Sequence, residues 1–179
     1  MKFHNKKLAL LWQHDLLVPA SKRKPVDGQF IFSSLFSVYA FSTKNDNSLQ
    51  TAFAKKVIEK IGDDLRASRL TIKNDISQFK KDIDPIELRV FEPNNQYPLT
   101  INQEKVCPQN TMLVKIFLAI DDFIIELNKA LFTGELNNQQ KRAYQTGLLD
   151  NLTKHLITLN KTCIDFHKLR KSQLEKEKV

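Results

Sequence analysis

Few residue clusters in this 179-residue chain have the types and spacing that chemistry needs. Asp63-Asp64 and Asp121-Asp122 are paired carboxylates, the kind of group that moves protons in general acid–base catalysis. No partner acid and no substrate-fixing loop accompanies either pair. The first reads as a solvated helix face, and the second as one exposed and one hydrogen-bonded Asp within an apolar helix. Of the four histidines, His155 and His167 are 12 apart, too far for the i, i+4 spacing of a helical metal pair. No HExxH, GxSxG or GxxxxGK motif occurs. Cys107 and Cys163 form no metal-type pair, and their apolar surroundings predict buried, reduced thiols in a reducing cytoplasm. The expectation is a non-enzymatic protein with no metal, no cofactor and no small-molecule substrate.

Cationic clusters carry more information. The chain has 28 Lys and Arg against 20 Asp and Glu, a net charge of +8. Residues 1–30 hold six cations and two acids, and residues 151–179 hold seven and three, so each end contributes +4 and the middle nets to zero. A neutral, apolar-rich middle with basic ends suits a polyanion, either nucleic acid or an anionic membrane, or is simply a solubilising charge. Lys22-Arg23-Lys24 can track a phosphate backbone or be a solvated linker. Asn138, Lys141 and Arg142 fall at the start of the last predicted helix, where free backbone N–H groups favour phosphate. Cations there oppose the helix dipole, which points mildly to an anion at that site.

These residues must be positioned by a mainly helical frame. Lys6–Val18 reads as a short helix ended by Pro19. Phe30–Phe41 is a buried strand or a buried helix, which periodicity does not separate. Asp46 or Asn47 caps a stripe of Leu49, Phe53, Val57, Ile61 and Leu65 that continues to Ile83. It is one long helix, or two broken near 68–71. Residues 86–91 alternate as a half-buried strand. Leu99–Gln103 alternate again, with Leu99 and Ile101 inward and Thr100 and Asn102 outward. Asn110 or Thr111 caps a central, largely apolar helix running to about Thr133, with Gly134 as its C′ residue. The last helix carries a seam of Leu152, Leu156, Leu159, Cys163 and Phe166, which packs internally or against a second subunit.

Strand, helix, helix from residue 98 to 169 is the order of ribbon-helix-helix proteins. There, strands from two subunits pair in the major groove and the second helix aims its N-terminus at phosphate. Thr100 and Asn102 are then the base-reading residues, with Lys105 beside them. The alternative is a structural hairpin with residues 86–91.

The buried segment FIFSSLFSVYAF, the helix start NDNSLQTAF, the strand RVFEPNNQYPLTI and the stretch MLVKIFLAIDDFIIELNKALFTGEL together resemble a family of mobile elements. It comprises integrating-conjugative-element proteins related to AcaB, the transcriptional regulator of conjugative plasmids. The likeness spans roughly residues 26–170. It implies a DNA-binding regulator of conjugative transfer genes with a ribbon-helix-helix-like element. Asp121 or Asp122 corresponds by position to the family's helix Asp, as a structural residue.

The expected protein is therefore α+β and mainly α. It has a basic N-terminal arm (1–27), one globular domain (28–170) and a charged tail (171–179). It binds double-stranded DNA as a homodimer in the cytoplasm, without a membrane-spanning segment. The competing expectation is a protein-interaction component of a conjugation or secretion apparatus, docking through the heptad seam.

Overall fold

The computed structural model describes residues 2–16, 18–19, 25–46, 48–83 and 90–176. Five helices form one bundle: α1 (Lys6–Trp12), α2 (Gly28–Ser42), α3 (Leu49–Asp82), α4 (Pro108–Phe132) and α5 (Asn138–Lys176). Two short antiparallel strands, β1 (Lys2–Phe3) and β2 (Tyr97–Pro98), pair Lys2 with Pro98 and Phe3 with Tyr97. The mainly helical expectation holds, and Phe30–Phe41 is helix.

Helix α4 is the centre. It buries residues on nearly every side, Leu113, Ile116, Phe117, Ile120, Phe123 and Leu127 among them. Its start differs from the expected cap at Asn110 or Thr111. Cys107 is the N-cap and Pro108 opens the first turn, where its missing N–H costs nothing. Asn110 reaches back instead, its Oδ1 accepting from the Cys107 N–H at 2.8 Å. The other end follows expectation. Gly134 takes φ +86°, a conformation that side chains rarely adopt, and its N–H donates to the Leu131 carbonyl at 3.3 Å.

Helix α3 is continuous over 34 residues. Its N-cap is Ser48, whose hydroxyl accepts from the Thr51 N–H. Asp46 stands two residues before it and accepts from Ser48 and Thr51, contacts that hold its carboxyl below its ordinary value. Helix α5 buries its whole seam, Leu152, Leu156, Leu159, Cys163 and Phe166, against this chain's own helices. Phe166 lies 5.9 Å from both Phe41 of α2 and Phe53 of α3. Of the two placements expected for the seam, packing inside the chain is the one seen, so it is not free to dock a partner. Both cysteines are buried and free, and burial alone lifts the Cys163 thiol to about 11.

The N-terminal segment is also corrected. Residues 2–12 are not an arm. Phe3, Leu8, Ala9 and Trp12 are at most 1% exposed within the main core. Trp12 meets Phe117 edge-on at 5.0 Å, and its Nε1 donates to the Thr100 carbonyl. The reason is size: a single Trp and a single Phe fill a gap that a short apolar run does not advertise. His4 ties the segment to α4. Its backbone N–H donates to both Asp121 oxygens, at 2.9 and 3.1 Å, and its ring Nδ1 lies 2.7 Å from Oδ2. A carboxylate only accepts, so Nδ1 carries the hydrogen. Asp121 is the hydrogen-bonded member of its pair and Asp122 the exposed one, as expected.

Two outcomes test this packing by chemical denaturation. A Cβ on Gly28 would stand 2.5 Å from Trp12 Cε3, so Gly28→Ala should destabilise by about 1–3 kcal/mol despite its higher helix propensity. Asp121→Ala should cost about 1–3 kcal/mol by orphaning the His4 N–H, and Asp121→Asn less, because one acceptor remains.

Candidate nucleic-acid interface

The expected contact residues divide between two ends of α4. Thr100, Asn102 and Lys105 precede it, and Asn138, Lys141 and Arg142 follow it. A 25-residue helix is about 37 Å long, so the two groups do not share a site. Lys22, Arg23 and Lys24 lie outside the described residues.

Thr100 and Asn102 are exposed while Leu99 and Ile101 are turned inward, so the alternation is real. It occurs in irregular backbone rather than a strand. The Thr100 carbonyl accepts from Trp12 Nε1 at 3.2 Å and from Gln29 Nε2 at 3.1 Å. Asn102 caps a single 3-10 turn, Gln103–Lys105, its Oδ1 accepting from the Glu104 N–H at 3.0 Å. The Lys105 carbonyl accepts from Asn110 Nδ2 at 2.6 Å. The Thr100 and Lys105 carbonyls thus seat the chain on α1, α2 and α4. Among the described residues β2 pairs with β1; residues 86–89 of the expected hairpin lie outside them. Val90 is in no strand and is 81% exposed.

At the start of α5 the helix caps itself. The Gln140 N–H donates to Asn137 Oδ1, and the Asn137 N–H donates to Gln140 Oε1, both at 2.9 Å. Two of the free backbone groups invoked for phosphate are thus already engaged. Arg142 is exposed and Lys141 half-buried.

The coherent cationic surface is further along α5. Residues 138–172 carry seven Lys and Arg but only Asp150 and Asp165 as acids. None of the seven joins an ion pair among the described residues. Lys154, Lys161 and Lys168 recur every seven residues, nearly two turns, and lie along one line about 10 Å apart. Lys161 and the buried Cys163 are about 200° apart around the helix, so the line faces away from the core. Exposed Ile157 and Ile164 alternate with the lysines. On the core-facing side of the same helix, about 200° from Lys168, Arg170 Cζ sits 4.3 Å from the Phe41 ring, and Lys44 Nζ sits 4.5 Å from it. The signal for this surface was present in the sequence, in the heptad seam itself: the same period, read on the opposite phase, gives the lysines.

Two histidines on α5 make the fold pH-sensitive. Burial holds His155 below its ordinary value of 6.5, and burial with Arg170 nearby does the same for His167. The unfolded chain binds protons first, so stability is complete above 6.5 and declines as pH falls below it. Denaturation of His155→Gln/His167→Gln should show a flatter pH dependence than the parent between about pH 5 and 7. No protein-family model, no curated protein and no solved structure matches the chain.

Proposed function

We propose that this protein is a DNA-binding regulator of conjugative-transfer or mobile-element genes, acting as a homodimer on double-stranded DNA. The observation that carries the binding is the outward line of Lys154, Lys161 and Lys168 on α5, with no ion-paired acid along it among the described residues. Lysines held on a rigid helix supply phosphate contacts that release counterions without reading bases. Arg142, Arg170 and Lys171 add positive charge elsewhere around the same helix. The genetic role rests on the resemblance of residues 26–170 to AcaB-related proteins. A reading ribbon between subunits draws less support, since β2 has two residues and pairs with β1 of the same chain.

A second reading follows from Ile157 and Ile164, which are 55% and 41% exposed among the lysines. An apolar-and-cationic stripe also fits an acidic partner helix in a conjugation or secretion apparatus.

Mobility-shift titration across salt decides between them. Replacing Lys154, Lys161 and Lys168 by Gln should lower the slope of log K against log[salt] by about 2–3. Ile157→Ser/Ile164→Ser should leave DNA affinity unchanged. Asn102→Ala relaxes sequence preference if the loop before α4 reads bases. Absence of salt-sensitive binding to any duplex overturns the DNA reading, and a strict monomer in light scattering overturns the dimer.

A further inference from the structure

A groove lies between helix α3 and helix α5, with Phe123 of α4 in its lining. Its volume is about 790 Å³, within the range of sites for drug-sized ligands. A smaller recess of about 190 Å³ continues it, sharing Asp75 and Leu148 with the main groove. From Ser68 to Ile83 the α3 wall is about 22 Å long.

The lining is unusual for a chain of net charge +8. Asp75, Asp82 and Glu135 line the groove, all three are exposed, and no Lys or Arg lines it among the described residues. The apolar surface is aromatic. Phe79 is 5.4 Å from Phe123 and 5.8 Å from Tyr144, which is 48% exposed and presents its ring at the groove. Carboxylates beside an exposed aromatic ring are complementary to one chemistry, a positive charge carried on an apolar body. The protein's long-range field repels such a molecule, so its recognition must come from these few local groups. A metal ion would gain nothing from the rings. A neutral apolar compound would gain nothing from the three acids.

We propose that the α3–α5 groove is a binding site for a lipophilic organic cation of drug size. Asp75, Asp82 and Glu135 neutralise the charge, and Tyr144 and Phe79 cover the apolar body. The smaller recess takes a substituent, with Ser68, Thr71 and Asn151 at hand for hydrogen bonds. Its α5 lining, Gln140 to His155, lies toward the start of the helix from Lys161 and Lys168, and the site stands or falls independently of DNA binding.

Calorimetric titration of the full chain with tetraphenylphosphonium, triphenylphosphine oxide and spermidine tests the proposal. The expected result is one saturable site for tetraphenylphosphonium and at least about tenfold weaker binding of both the neutral and the non-aromatic compounds. Asp75→Asn/Asp82→Asn/Glu135→Gln should weaken tetraphenylphosphonium about tenfold, and Tyr144→Ala about threefold. These side chains are exposed, so the variants should keep the parent's unfolding transition, which the same samples report. Lys154→Gln/Lys161→Gln/Lys168→Gln should bind the cation as the parent does. Equal binding of the neutral compound would overturn the role of the acids, and equal binding of spermidine that of the rings. No saturable binding of tetraphenylphosphonium would overturn the site.

Discussion

Helix α4 is apolar around most of its circumference, and a helix of that kind is stable in water only when other elements cover it on every side. Helices α2, α3 and α5 cover much of it, and Trp12 and Phe3 close the remaining gap against Phe117. The N-terminal segment is consequently structural. Asp121 shows how close the tolerance is: the one charged residue buried in α4 sits where a backbone N–H and a ring N–H from His4 can both reach it. Buried charge survives there because hydrogen bonds replace its water.

The surface chemistry follows from that arrangement. Since the inner seam of α5 is committed to the core, its opposite phase must face solvent for the length of the helix. Lysines on that phase have no neighbouring element to pair with. The acids of the groove are placed differently: beyond the main core the second small cluster around Phe79 and Phe123 leaves a groove between α3 and α5, and Asp75, Asp82 and Glu135 line it. One bundle thus presents an anionic cleft and a cationic ridge in succession along a single helix.

Much of this was legible in the residues. Four-residue steps gave α3, continuous apolar residues gave α4, and Gly134 marked its end. The segment 30–41 was not decidable because apolar residues on all sides erase the difference between a period of 3.6 and one of 2. Thr100 and Asn102 alternate correctly in exposure, yet alternation is a property of any extended backbone pressed on a core, with or without a strand beside it. The pairing of Lys2 with Pro98 left no local trace at all. Nor did the groove, which depends on residues 60 or more apart in the chain, such as Asp75 and Glu135.

The bond from His4 to Asp121 joins residues 117 apart. Translation makes Phe3, Leu8 and Trp12 long before the helix that receives them, so these side chains spend synthesis without their final cover. Their docking is a late, non-local step, and non-local closure is slow compared with helix formation. The nascent chain carries an exposed indole and phenyl through that interval, the period in which such surface attracts chaperones or other unfinished chains. The same tryptophan that completes the core is therefore the natural reporter of its completion: its fluorescence changes only when the two ends of the folding problem have met.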